Sequence, residues 1–484
     1  MTGQRWVPTA ERVCLGVLLL WLVWLPLPFG SVIEAARLPL IVVPLIICTI
    51  ATLIRLYATR ERNNSARPTR SWMIWSTGAL LFLAAGALQL IPLPPALLHV
   101  VSPESHALWA AVTRIASLTG LSGRSMFPIT VDPRDTVLEL FRLTAMYAAF
   151  VAASLLIRSP ERRVALATVL CGTAAFEALY GIRESALQRY QIWGWVNRLI
   201  FNRVTGTFVN PNHFAHYLAI LLPMALFLVA TKWHVSGTHE MPVSRRFMNL
   251  IEHGILTTGF ALIAAICSVA GILLAQSRGA LLSLGIGLLV VAAFLPGRRV
   301  ARVTFAAIAG AVLVVSLVMF LGTDRTVARF VPNQVERQTL VGRRIGIAAA
   351  VGVWERFSLF GSGLGTFERV VSMEQSDDLG KIYHHAHNDY AEIAATAGTI
   401  GFVIAMVTLL GGYLTLVRLT FGEDSAFFSW RRRAYQAAAL ASITIAAVHS
   451  MFDFNFFIPS NPATLAVIAG AAVATVDYDK RTRR

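Results

Sequence analysis

Charge is scarce in this sequence. Asp, Glu, Lys and Arg make up 14% of its 484 residues, against roughly 25% in a soluble globular domain. That excludes a soluble class for a chain that is 56% hydrophobic. Cysteine is scarcer still: Cys14, Cys48, Cys171 and Cys267 are the four. All fall in apolar runs at no metal-ligand spacing, so neither a disulfide framework nor a cysteine metal site is expected. Internal repeats, low-complexity tracts and a stretch polar enough to form a soluble domain are also lacking.

Acidic residues are outnumbered 26 to 42 by Lys plus Arg, a formal net charge of +16. The excess forms no basic domain that would track a phosphate backbone, so nucleic acid is not an expected partner. It sits in short clusters between apolar runs, as topology signals do.

Those apolar runs are what the sequence has in abundance. Each is long enough to cross a hydrocarbon core of about 30 Å, and about twelve spans are expected. They lie near 11–29, 33–54, 72–95, 136–157, 164–182, 213–231, 254–276, 279–296, 303–322, 389–417, 434–450 and 463–477. The first reads as an uncleaved span rather than a signal peptide, because so many others follow. Basic clusters follow every second span: Arg55 to Arg70, Arg158 to Arg163, Lys232 to Arg246, Arg298 to Arg302, Arg418 to Arg433 and Lys480 to Arg484. The positive-inside rule puts these clusters and both termini in the cytoplasm. The expected fold is an all-α polytopic membrane protein. Three of its outward connections are substantial: 96–135, 183–212 and a large periplasmic loop, 323–388, between the ninth and tenth spans. Helices lying along the membrane are expected in that loop and in "LPPALLHV" and "HALWAAVTRIASL" of the first. Two regions result: 1–135, with the first spans and first outward loop, and 136–484, with the remaining spans and the large loop.

The outward side nonetheless carries arginine, including Arg183, Arg203, Arg278, Arg343, Arg344, Arg356 and Arg369. Solvated loop charge and snorkelling account for most of them. Arg203 and Arg278 resist that reading, because each is tucked against a span boundary, where an ionisable residue is a functional candidate. Near them lie three expected helix starts: Asn210-Pro211-Asn212, Ser277-Arg278-Gly279, and His387-Asn388-Asp389, with Asn388 or Asp389 as cap. All begin on the outward side, where their positive dipole ends and free N–H groups would hold an anion such as a lipid phosphate or diphosphate. Arg142 and Glu177 are the candidates deeper in the bundle.

"HHAHND", His384 to Asp389, gathers three histidines beside the third start. His385 and His387 are two residues apart and do not share a helix face. A zinc site would need further ligands from His384, Asp389 or His449. The alternatives are a structural histidine hydrogen-bonded at a helix start, and acid–base chemistry near neutral pH. "GSGLGTF", Gly361 to Phe367, lacks the P-loop lysine and reads as a glycine-rich turn. In "HSMFDF", His449 and Asp453 at an outer span end are expected to pair, as packing support or as an anchor behind the site, with support the favoured reading.

These blocks together resemble the bacterial O-antigen ligase/polymerase superfamily of membrane glycosyltransferases. The ligase signature is His, then Asn, Ser or Gln, nine residues, then Gly; this chain has His387-Asn388, Asp389 to Ala397, and Gly398. The ligase form often carries threonine where this chain has Gly401. "GTFVNPNHFAHYL", "SRGALL", "GSGLGTF" and "HSMFDF" follow in the family's order, and the resemblance covers about residues 140–475. It implies a donor glycan on undecaprenyl diphosphate and an inverting, metal-independent transfer in the bacterial inner membrane, with the active site facing the periplasm and no cofactor. Carried over by motif, Arg203 and Arg278 engage the donor diphosphate, and His387 orients or deprotonates the acceptor hydroxyl. Asn210, Asn212, Asn388, Tyr390, Arg343 and Arg344 are the expected substrate-binding residues. Ligation to an acceptor such as lipid A–core is the leading reading. Polymerisation of repeat units shares its chemistry, and a non-enzymatic lipid or glycan transporter is the reading from another class.

Overall fold

A computed structural model describes residues 6–62, 68–120, 125–196, 203–235, 243–294, 299–321, 334–374, 383–422 and 429–474. Arg67, Arg298 and the cluster Lys480 to Arg484 lie outside these residues, as do 323–333 and 375–382 of the expected large loop.

The described chain is almost entirely helical. In order it forms α1 (Trp6–Trp24), α2 (Glu34–Arg62), α3 (Arg70–Leu88), α4 (Pro95–Val101), α5 (Pro103–Leu118), α6 (Pro133–Leu156), α7 (Pro160–Ala186) and α8 (Pro211–Val235). Then come α9 (Val243–Leu274), α10 (Arg278–Phe294), α11 (Arg299–Leu321), α12 (Gln334–Arg356), α13 (Phe367–Val370), α14 (Asp389–Phe421), α15 (Trp430–His449) and α16 (Ser460–Val473). The departure from all-α is a short antiparallel hairpin, Gln191–Ile192 with Trp195–Val196.

A helix stands at each of the twelve expected spans. Among the described residues, eight are long and apolar enough to cross a membrane: α1, α2, α3, α6, α7, α8, α9 and α14. Helices α10 and α16 are apolar but shorter, at 17 and 14 residues. At about 1.5 Å per residue they fall short of a hydrocarbon core of about 30 Å. The chain is a multi-pass, all-α membrane protein.

The spans begin where the sequence supplies caps. Thr69, Asp132, Ser159 and Ser429 accept hydrogen bonds from first-turn N–H groups, and Pro133 and Pro160 occupy first helical positions. Lipid provides no water to satisfy such groups, so the caps matter more than in a soluble helix. Between spans, small residues permit close approach: a Cβ on Gly287 would strike Ile445, and one on Gly412 would strike Trp75. Helix α8 is central. Its spanning window is 83% buried, against 17–56% for the other seven.

Two of the connections expected on the outward side contain helices among the described residues. The segments read as membrane-lying become α4 and α5, and the connection that carries them is closed on itself by the Leu93–Phe127 bridge and by Ser105 Oγ donating to Ile129 O. The described part of the large loop contributes α12 and the glycine-rich turn. Arginines attributed to solvated loop charge have carboxylate partners: Arg183 pairs with Glu184, Arg356 with Glu104 and Glu374, and Arg369 with Asp132 and Asp135.

The tenth expected span is corrected in one respect: α14 is two helices across a break at Gly398. There φ is +66° and ψ is −176°, a region essentially reserved for glycine. A Cβ at Gly398 would overlap Gly361 N and Leu359 O. The GSGLG turn fills the break. Ser362 N and Gly363 N donate to the carbonyls of Ala395 and Thr396 at 3.0 and 3.1 Å, while Thr399 N and Ile400 N donate to Ser358 O and Leu359 O at 2.8 and 3.2 Å. Gln89, just past α3, completes the joint. Its amide donates to Phe360 O and Thr396 O at 2.6 and 2.9 Å and accepts from Leu364 N at 2.9 Å. The glycine-rich turn therefore satisfies backbone groups that an interrupted helix leaves open.

Candidate active site

Three helix starts converge at one end of the bundle. Asn210 Oδ1 accepts from Asn212 N at 2.9 Å to open α8, with Pro211 its first residue. Ser277 Oγ accepts from Ala280 N at 3.4 Å to open α10. Asn388 Oδ1, not Asp389, accepts from Ala391 N at 3.0 Å to open α14. Neither α8 nor α10 has an acidic residue in its first turn. Neither helix therefore compensates its positive end from its own first turn, and α10 opens on a cation, Arg278.

Between these starts lies a cavity of about 260 Å³, lined by Arg203, Asn212, Ser277, Arg278, Arg343, Arg344, His387 and His449 among others. Four arginines and helix N-termini around one concavity make an anion-binding environment. The structure thus brings together Arg203, Arg278, His387, Asn212, Arg343 and Arg344. Asn210, Asn388 and Tyr390, also expected to contact substrate, are not among the lining residues. Asn210 and Asn388 cap their helices, Asn388 Nδ2 also donates to Met451 O at 3.0 Å, and Tyr390 donates to Ala447 O at 2.7 Å.

Arg203 is held from both sides. Its Nε donates to Ala275 O at 2.8 Å, before α10, and its Nη2 donates to Asn212 Oδ1 at 3.1 Å, in α8. The loop carrying it is anchored from within the bundle by Glu177. This fully buried carboxylate accepts from Thr207 N and Thr207 Oγ1 at 2.9 and 2.8 Å. Gly206, at φ +55°, leaves room for it. Arg142 anchors a second segment in a comparable way. It pairs with Glu139 and donates to Phe456 O at 2.7 Å, fixing the turn after α15.

His387 sits at φ +53°. A non-glycine residue in the left-handed region is uncommon, and such strain gathers at functional sites. Its Nδ1 lies 3.3 Å from Asp453 Oδ1. Asp453 is 1% exposed and also accepts from Asn212 Nδ2 at 2.9 Å, Phe454 N at 3.0 Å and Arg343 at 3.4 Å. Burial alone would push this carboxyl up. The His213 and His387 rings and the Arg343 guanidinium outweigh burial and hold it well below the usual carboxylate range. An ionised Asp453 only accepts, so His387 Nδ1 is the donor of this bond and Nε2 points away from it.

The expected His449–Asp453 pair is corrected: Asp453 bonds His387, and His449 Nδ1 lies 3.0 Å from His216 Nδ1. Asp453, singled out in the sequence with His449, has His387 as its partner instead, a pairing the sequence did not indicate. What the sequence does show is an aspartate set in "MFDFNFF", where a buried charge demands partners. The histidines offered as shared metal ligands diverge: His384 faces Glu368, His385 faces Glu392, His387 faces Asp453 and His449 faces His216. Burial disfavours a charged His385 ring, but the adjacent Glu392 outweighs it and holds its pKa above the ordinary value.

A search of curated proteins finds no match to this chain. Residues 263–406 match the O-Antigen ligase family. The matched stretch runs from within α9 to within α14, so it contains Arg278, Arg343, Arg344, His387 and the Gly398 break, while Arg203 and Asp453 flank it. That domain supports a place for the chain in the O-antigen ligase/polymerase superfamily.

Proposed function

We propose that this chain is an inner-membrane glycosyltransferase that moves a glycan from undecaprenyl diphosphate to an acceptor hydroxyl at the periplasmic face, acting as an O-antigen ligase with lipid A–core or a similar acceptor. The single observation that carries the reading is the shared cavity, in which Arg203 and Arg278 stand with His387 between three helix starts. In this reading the polyprenyl tail stays in the bilayer and the diphosphate enters the arginine-lined cavity. Asp453 holds the His387 ring with Nε2 as base. The acceptor oxygen attacks the anomeric carbon, and its proton passes to Nε2. The bond from that carbon to the diphosphate breaks, and its electron pair leaves with the phosphate oxygen. Attack opposite the leaving group inverts the anomeric centre. Arg203 and Arg278 neutralise the growing charge by charge-assisted hydrogen bonds. The mechanism assigns no step to a metal.

Deleting the gene and analysing cell glycans tests the reading. Long undecaprenyl-linked glycans left untransferred are the expected result. Single repeat units would make the chain a polymerase, with the same chemistry and a different acceptor. Glycans accumulating in the cytoplasm would indicate a transporter and sink the proposal.

A further inference from the structure

The proposed reaction makes no use of His449, a cavity-lining histidine. His449, at the end of α15, lines the cavity but is only 1% exposed, and its Nδ1 faces inward to His216 Nδ1 of α8 at 3.0 Å. His216 is 2% exposed. Two imidazole nitrogens at that distance form a hydrogen bond only when one carries a proton and the other a lone pair. The pair therefore has two neutral arrangements. In one, His216 Nδ1–H donates and His449 keeps its proton on Nε2. In the other, His449 Nδ1–H donates and its Nε2 is a bare lone pair.

The surroundings distinguish the two. His449 Nε2 lies against Gly279, in the first turn of α10, and a Cβ there would sit 2.8 Å from it. The glycine of "SRGALL" is thus the residue that leaves space for this ring edge beside Arg278. Arg203, Arg278, Arg343 and Arg344 and the first turns of α8 and α10 present positive charge to the same cavity. An N–H at Nε2 adds a donor to an anion cradle, whereas a lone pair would oppose the anion.

We propose that His449 is a further binding residue for the diphosphate, donating from Nε2, and that His216 is a positioning residue that fixes this tautomer by donating its Nδ1–H to His449. The inference rests on the diphosphate reading of the cavity. His449 contributes a neutral donor, so the cradle gains directionality without another buried charge. The four arginines supply the charge, and the imidazole supplies one fixed direction.

The test has two readouts on the full-length protein. The first is the ¹⁵N spectrum of histidine-labelled wild-type protein in lipid, with His449 assigned by difference from His449→Gln. A protonated Nε2 and unprotonated Nδ1 are expected; the reverse overturns the proposal without reference to any activity. The second is binding of farnesyl diphosphate, a short polyprenyl diphosphate. His449→Phe should weaken it roughly 10–100-fold, and His449→Gln should recover part of the loss. His216→Leu should weaken it and His216→Asn restore it, with the pH profile of transfer unchanged throughout. If Arg203→Ala binds farnesyl diphosphate as wild type does, the diphosphate reading itself fails. If Arg203→Ala loses binding while a folded His449→Phe does not, only the present inference fails.

Discussion

Asp453 Oδ1 accepts a hydrogen bond from His387 Nδ1 at 3.3 Å, across the gap between the turn after α15 and the start of α14. That bond joins a strained residue at φ +53° to a carboxylate that is 1% exposed. Asp453→Asn keeps the shape but loses the charge that selects the Nδ1–H tautomer. Transfer should fall about 10²–10⁴-fold, by analogy with Asp to Asn in a catalytic triad. Steady-state transfer with purified protein checks this; activity within twofold of wild type would remove Asp453 from the machinery.

Arg203 and Arg278 stand on different elements but line one cavity. Replacing either with alanine should lower transfer by about 10²–10³-fold, the range for deleting one oxyanion donor. Lysine should rescue Arg203 poorly, because its Nε and Nη2 donate to separate partners, Ala275 O and Asn212 Oδ1, and an ammonium cannot reproduce that fork. Measuring transfer for both alanine variants and for Arg203→Lys, at matched protein levels, decides this.

Gly398 should tolerate no side chain. Gly398→Ala places a Cβ into Gly361 and Leu359 at a backbone conformation that alanine avoids. A destabilisation of about 2–5 kcal/mol is expected from strain and overpacking together. Thermal unfolding in detergent reads it, and an unchanged melting temperature would contradict the break described for α14.

The His385–Glu392 pair gives a pH dependence of known sign. The folded pKa of His385 is raised, with Glu392 overcoming burial. Its stabilising contribution is then complete below the ordinary histidine value of about 6.5 and is lost as pH rises through the higher folded value. The melting-temperature difference between wild type and Glu392→Gln should be largest near pH 6 and shrink toward pH 9. Asp453 has the opposite sign: its lowered folded pKa gives a contribution present above the ordinary carboxylate range and lost only in stronger acid. A wild-type/Glu392→Gln difference that grows with pH would refute the assignment for His385.

Much of this site was legible in the sequence because caps and topology signals are local. Asn210-Pro211, Ser277 and Asn388 identify helix starts from a few residues each, and their common side follows from the basic clusters. Arg203 and Arg278 stood out as cations where the outward boundary should be poor in them. The break at Gly398 was not legible. The apolar run continues through it, and only the distant Gly361 turn and Gln89 reveal that the helix stops and restarts. The partner of His387 was hidden for the same reason: 66 residues separate it from Asp453, and pairing at that distance depends on tertiary packing alone.

The amide of Gln89 belongs to the turn just past α3, while the carbonyl of Thr396 belongs to the helix that follows His387. Grafting residues 263–406 onto an unrelated bundle would therefore carry the severed helix without its suture, and the imidazole would lose its reference point. Chimeras that keep function should be cut so that the end of α3 and the start of α14 come from the same parent.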